Sequence, residues 1–281
     1  MTEKRKFYGM RNDYMFHAVL QKNEEVLRNL LATLLEMDEA DIVSCRIENP
    51  IELGREIKGK ECILDAKIIL NDTRIINIEL QVYKQTYWVN RSLLYWSRAY
   101  DRIKSGQEYD RLLPTYHIGI LDFTLFNEHP KFMAQYQILD VEDHFLYSDK
   151  LCIKVLDLTQ IEKAKKQPRI NKKLLKWASI FKAETLEELE QLAGKEEVFE
   201  NMVLTLKKLS EDEKIRMQCE AREDYERCLL SEYSAGKREG IEEGIEKGME
   251  QGTEITQKKL LHNLMEFQEI TEDEARKMLG I

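Results

Sequence analysis

The chain has 281 residues, of which 34% are charged and 43% hydrophobic, and its formal net charge is −9. This length is enough for one or two domains with a well-buried core, while the acidic balance argues against a protein that coats nucleic acid through general basic charge. The sequence has no run of 18 apolar residues, and its first ten residues have no apolar leader segment. We therefore expect a soluble cytoplasmic protein that does not bind membranes.

The first predicted elements are a helix and a short strand. Apolar residues recur at three- and four-residue spacing over residues 13–36, which predicts one amphipathic helix. Asn12 or Asp13 is suited to cap its N-terminus. A strand is predicted over Ile42–Glu48, and the Asn49-Pro50 pair that follows is expected to end it.

The segment Ile63–Tyr83 predicts a β-hairpin, because it is rich in Ile, Leu and Val and alternates with period two. Each strand has one apolar face and one polar face. The polar faces carry Asp65, Lys67, Asn77, Glu79, Gln81 and Tyr83. Charged side chains on a sheet that also has a good core are costly unless they have partners or a chemical role.

The length of the hairpin turn decides which of these side chains meet. A two-residue turn places Asp65 opposite Leu80, a three-residue turn over residues 71–73 places it opposite Glu79, and a five-residue turn places it opposite Gln81. Asn and Asp accept the left-handed conformation that a three-residue turn needs. We therefore predict that Asp65 and Glu79 converge, as oxygen ligands suited to Mg²⁺.

The segment Tyr87–Ser105 predicts a helix with two contrasting faces. One is apolar and is expected to pack on the sheet; it consists of Val89, Leu93, Trp96, Tyr100 and Ile103. The other carries Arg91, Tyr95, Arg98 and Arg102. This second face is either a solvated arginine surface or a functional one, in which Arg91 reaches the site and Arg98 and Arg102 contact phosphates.

Further strands are predicted at Tyr116–Phe123, Met133–Val141 and Leu151–Leu158. The first is expected to be central in the sheet, because both of its faces are apolar. His117, His129 and His144 lack the spacing of metal ligands and are interpreted as core or surface residues. The five cysteines also show no zinc-type spacing.

The remainder of the chain is predicted to be helical. We divide the chain into a domain over residues 1–160, a helical appendage over 161–232 and a tail over 233–281. In the tail, glycine recurs every fourth residue from Gly236 to Gly252. Six Glu and five Lys/Arg between residues 236 and 259 exclude a bilayer-spanning segment. Either this tail forms a helix that joins two copies into a homodimer or docks on a partner, or it is a frayed solvated linker.

The motifs of this sequence, taken in order, resemble those of the recombination-promoting nuclease / putative transposase family of the PD-(D/E)XK superfamily. Asp65 followed by Glu79-Leu80-Gln81 is similar to its D…(D/E)xK signature, with Gln in the lysine position. Flanking pieces of the resemblance are Asn12–Phe16, Gly59-Lys60, Arg91 with Tyr95, and Gly106 with Tyr109. The resemblance implies an α/β, restriction-endonuclease-like core, a mixed sheet flanked by helices.

The same resemblance implies a DNA endonuclease that uses Mg²⁺, with Mn²⁺ as an alternative. The implied metal ligands are Asp65, Glu79 and the carbonyl of Leu80, and Gln81 is expected to orient a water. The missing lysine charge is expected from Lys67 or Arg91, and an outer carboxylate from Asp13. DNA contacts are expected from Lys60, Tyr95, Arg98 and Arg102, in a window (residues 54–104) with ten Lys/Arg and six Asp/Glu.

Other interpretations are open at this point. Asp65 and Glu79 also suit an ion-paired polar sheet face with Lys67 and Arg91. A nuclease-like fold that binds DNA or a partner protein without cleaving is the second functional hypothesis. The acidic net charge favours it, while the intact D…ExQ set favours the enzyme.

Overall fold

The sheet at the centre of the fold is mixed. In the computed structural model, which describes residues 6–51, 53, 66–103 and 106–280, six strands follow the order β1-β2-β3-β4-β6-β5. They are β1 Cys45–Ile47, β2 Ala66–Leu70, β3 Arg74–Gln81, β4 Thr115–Leu121, β5 Met133–Leu139 and β6 Leu146–Asp157. β3, β4 and β6 are parallel, and the other pairs are antiparallel. β4 is central, as its two apolar faces predict.

The β2–β3 hairpin has the predicted three-residue turn. Leu70 pairs with Arg74, and Ile68 pairs with Ile76. Asn71 and Asp72 take left-handed backbone conformations, with φ of 50° and 52°, which short polar side chains tolerate. This is the register on which the convergence of Asp65 with Glu79 was predicted, although Asp65 itself lies outside the described residues.

The helices on the inner face of the sheet begin with α1 (Asp13–Lys22) and α2 (Glu24–Leu35). Asn12 caps α1 as predicted, accepting a hydrogen bond from the backbone of Met15. The prediction of one continuous helix over residues 13–36 was wrong. Asn23 has an extended backbone, ends α1 through its N–H and caps α2 with its side chain. Its side chain competes with helix continuation in the way typical of Asn.

The next helices are α4 Ile161–Ala164, α5 Lys172–Lys182, α6 Leu186–Ala193 and α7 Glu197–Glu211. They share one hydrophobic core with α1, α2 and the inner face of the sheet. Phe181 of α5 packs against α1, because its ring contacts Phe16. The helices that were assigned to an appendage from the sequence thus bury their apolar faces in the same core as the sheet. This core contains residues on both sides of the proposed boundary at residue 160.

The outer face of the sheet is covered by α3 (Trp88–Tyr100). The predicted packing face was only partly right: Trp96 packs against the outer-face cluster, but Val89 and Leu93 are 37% and 45% exposed, and Trp88 is buried instead. Trp88 lies over Gly119 of β4, where an added Cβ would be only 2.2 Å from the indole ring. Gly119 therefore makes room for Trp88, and α3 is rotated so that Arg91 and Tyr95, three and seven residues later, lie on the sheet-facing side.

The long helix α8 (Glu213–Gln268) begins in the first of two compact units, Met1–Glu223, and continues into the second, Asp224–Ile281. The second unit also contains α9 (Glu272–Leu279), which starts with the predicted capping box between Thr271 and Glu274. The glycine-rich segment is helical, and added Cβ atoms at its five glycines meet no other described atom within 4 Å. No described helix is long and apolar enough to cross a membrane.

Candidate active site

The central residue of the candidate site is Glu79 on β3. Strand alternation directs Ile78 and Leu80 into the inner core and turns Glu79 to the outer face of the sheet. There α3 covers it, and Glu79 has no exposed surface. Burying a carboxylate is costly unless opposite charge or hydrogen bonds compensate it, so the neighbours of Glu79 decide what it can do.

Two groups approach different oxygens of Glu79. Arg91 Nη2 lies 2.9 Å from Oε1, and His117 Nε2 lies 3.3 Å from Oε2. Both contacts are close, yet neither has the alignment of a directional hydrogen bond, so within the described residues both oxygens lack a hydrogen-bond partner. The carboxylate is thus partly neutralised by Arg91 and keeps lone pairs that a cation could use.

A short network connects Glu79 to Gln81. Arg91 Nη1 donates to Gln85 Oε1 at 2.9 Å, and Gln85 Nε2 donates to Gln81 Oε1 at 2.7 Å. Arg91 also lies over the Tyr95 ring, 5.0 Å from its centroid. These contacts hold the guanidinium of Arg91 close to Glu79 and Gln81 of β3. The sequence analysis missed Gln85, whose only signal was its polar position between β3 and α3.

His117 was interpreted as a core or surface residue, and the structure places it in this network. It lies beside Asn77 in the parallel pairing of β3 and β4, and its Nδ1 is 3.1 Å from Asn77 Nδ2. The side chain is fully buried, with the rings of Trp88 and Tyr95 nearby. The available signal was a polar residue at an otherwise apolar strand position, but its neighbours depend on a strand pairing that the sequence did not specify.

The structure pairs two of the predicted cations with a carboxylate outside this network. Lys67 Nζ lies 3.5 Å from Glu48, and Arg102 forms a two-point hydrogen-bonded pair with the same carboxylate, at 2.8 Å for its Nη1. The hydrogen bond from Arg102 is the largest cause that lowers the pKa of Glu48. Lys67 and Arg102 thus share one anion on the side of the sheet where β1 pairs with β2.

The remaining predicted residues are distributed as follows. Asp13 is held by Arg222 at 2.7 Å, at the start of a helix that packs on the inner face of the sheet. The side chain of Leu80 is buried in the inner core, so only its carbonyl is suited to ligation. Arg98 is exposed. Asp65 and Lys60 lie outside the described residues.

The donors near Glu79 suit a hard divalent cation. Within the described residues, no group of three or more His, Cys, Asp and Glu side chains could hold a metal ion. A Mg²⁺ ion, however, usually takes one or two carboxylates and retains several waters. The two Glu79 oxygens without hydrogen-bond partners and the neighbouring backbone carbonyl of Leu80 fit such a partial ligand set.

Comparison with known proteins gives a family match. The family described as PD-(D/E)XK nuclease family transposase matches residues 10–232. The match covers the sheet, its flanking helices and the start of α8. No curated protein and no solved structure matches the chain. The mixed sheet flanked by helices is a restriction-endonuclease-like α/β fold.

Proposed function

The chain belongs to the PD-(D/E)XK nuclease family transposases, and from this we propose that it is a metal-dependent endonuclease that hydrolyses phosphodiester bonds in DNA. The proposed ion is Mg²⁺, with Mn²⁺ as an alternative. The observation that carries the proposal is the buried Glu79, which occupies the acidic position of the family signature and keeps both oxygens without a hydrogen-bond partner among the described residues. The family description supports a link to transposition, and we propose recombination as the related alternative.

We assign the metal to Asp65, Glu79 and the carbonyl of Leu80. When bound, a divalent ion supplies an activated water and stabilises the leaving oxygen of the phosphodiester. Gln81 can orient a water but carries no charge. Arg91 therefore supplies the cation that the family motif places at position 81, since it lies 2.9 Å from Glu79 and reaches Gln81 through Gln85.

We propose that DNA binds on the side of the sheet that α3 covers. Arg98 is exposed and has the delocalised cation suited to phosphate. Arg102 is paired with Glu48, so its contribution to DNA binding requires exchange of that partner. Lys60 and Tyr95 complete the proposed set, with Tyr95 placed next to Arg91.

Supercoiled plasmid tests the proposal. We expect wild-type protein to cut it in Mg²⁺, and we expect chelator, Asp65→Ala or Glu79→Gln to abolish cutting while DNA affinity is retained. Glu162→Gln is the matched control, because Glu162 is an exposed carboxylate paired with Lys165 away from the site. Normal cutting by Glu79→Gln would refute the metal assignment.

A second function is supported by one observation. Arg91 forms an ion pair with the buried Glu79 carboxylate, as expected of the polar sheet face of a nuclease fold that only binds DNA or a partner protein. This alternative predicts wild-type protein that binds DNA equally well with or without Mg²⁺ and never cuts it. Binding and cutting measured on the same DNA therefore separate the two functions.

A further inference from the structure

We propose that His117 is a positioning residue that orients the Glu79 carboxylate, with its tautomer fixed by Asn77. As a role in catalysis, this rests on the proposed function. The parallel register places Asn77 beside His117 and Glu79 beside Gly119. Because Gly119 has no side chain, the space between Glu79 and α3 is shared by Trp88 and the imidazole of His117.

The proton on the imidazole is placed by its neighbours. The amide nitrogen of Asn77 can only donate, and it lies 3.1 Å from Nδ1 of His117. Nδ1 must then be the acceptor, so the neutral ring carries its proton on Nε2. That nitrogen lies 3.3 Å from Glu79 Oε2. The opposite tautomer would direct a lone pair at a buried anion and an N–H at the amide donor.

His117 and Arg91 together restrict rotation of the carboxylate. Arg91 approaches Oε1, and His117 approaches Oε2. His117 is fully buried and Glu79 is almost fully buried, so water does not take the place of the His117 contact. Groups around a metal ligand commonly fix its orientation in this way, and their loss typically lowers metal affinity about 10- to 100-fold.

The first test measures the tautomer in metal-free wild-type protein, using ¹⁵N-labelled histidine and NMR. We expect the His117 signals of a neutral ring protonated at Nε2. Signals of the Nδ1-protonated form would overturn the proposal. This readout does not depend on cleavage or metal, so it stands even if the proposed nuclease activity fails the plasmid test.

The second test measures Mn²⁺ affinity by calorimetry and steady-state cleavage of DNA. His117→Leu removes the donor, and we expect Mn²⁺ affinity to fall about 10- to 100-fold and kcat to fall with KM for DNA unchanged. His117→Gln keeps an N–H donor and should retain most of both. Thermal unfolding of each variant identifies loss of fold. A His117→Leu protein that folds and binds Mn²⁺ normally, or a His117→Gln protein as impaired as His117→Leu, would overturn the proposal.

Discussion

At the scale of single residues, the ion pair between Arg91 and Glu79 is the most consequential contact of the site. Its atoms lie 2.9 Å apart, with the Glu79 side chain 1% exposed and that of Arg91 25% exposed. Removing one partner of a buried ion pair leaves an uncompensated charge, which costs about 3–5 kcal/mol. We expect Arg91→Met to lower the free energy of unfolding by about this amount in urea denaturation.

Two further variants identify the cause. Adding Glu79→Gln to Arg91→Met should recover much of the lost stability, because the buried charge is then absent. Arg98→Met, on the exposed side of the same helix, should change stability by less than about 0.5 kcal/mol, as is usual for surface positions. Equal losses for Arg91→Met and Arg98→Met, or no recovery in the double variant, would contradict the assigned ion pair.

The polar residues of the candidate site were easier to predict from the sequence than the residues that contact them. Glu79, Gln81 and Arg91 were predictable, because strand alternation and a short motif are local properties. His117 and Gln85 were missed. His117 meets Glu79 only through the parallel pairing of β3 with β4, which places Asn77 beside His117. No local pattern specifies that register.

At the scale of elements, the rotation of α3 depends on Gly119. A Cβ at this position would lie 2.2 Å from the Trp88 ring, closer than packed atoms can approach. Overpacking of this kind typically costs about 1–3 kcal/mol. We expect Gly119→Ala to lower the free energy of unfolding by that amount and to reduce activity, since α3 also carries Arg91. Adding Trp88→Phe, which removes the ring atoms concerned, should recover stability; failure to recover would assign the effect to something other than this contact.

The misjudged face of α3 shows why helix packing was harder to predict than helix position. Its sequence offers two adjacent sets of large side chains, one with Val89 and Trp96 and one with Trp88 and Tyr95. Periodicity alone cannot choose between sets about 100° apart on the helix. The choice was made by a glycine on another element, which makes room for Trp88.

The ion pairs of Glu48 stabilise the fold in a pH-dependent way. Glu48 directly follows β1, Lys67 lies in β2, and Arg102 follows α3. Arg102 and Lys67 hold the pKa of Glu48 below its ordinary value of 4.5. Between the folded pKa and the ordinary value, the unfolded chain binds more protons than the folded one. This stabilisation is therefore present above pH 4.5 and is lost as the pH falls through the folded pKa. We expect thermal unfolding of Glu48→Gln to depend less on pH below 4.5 than wild type; identical profiles would contradict the pairing.

At the scale of the whole molecule, the proposed domain division at residue 160 stays a prediction. It was suggested by the change in composition and predicted structure over residues 161–232. Composition, however, does not show where an apolar helix face is buried. In the structure Trp177, Phe199 and Cys219 belong to the same core as the inner face of the sheet.

The tail carries the last prediction, that residues 233–281 join two copies of the chain. The segment is helical, and Ile241, Ile245 and Met249 are 52%, 59% and 69% exposed. Glycine at every fourth position costs about 1 kcal/mol each relative to Ala, and small residues at this spacing let another helix approach closely. A symmetric dimer would also supply the two active sites that a double-strand cut requires.

Substitution of Gly240, Gly244 and Gly248 tests this role. An added Cβ at each of these glycines meets no described atom within 4 Å, so a change in the number of chains per particle reports contact between chains. We expect light scattering to give a dimer for wild type, and monomers for the triple Leu variant and for a chain that ends at Glu232. A triple Ala variant should raise helix content as the triple Leu variant does. Its smaller side chains should obstruct the approach of a second helix less, so it should retain more dimer. A helix that serves only as a spacer predicts the same number of chains per particle for all four proteins, because Ala and Leu both favour helix over glycine.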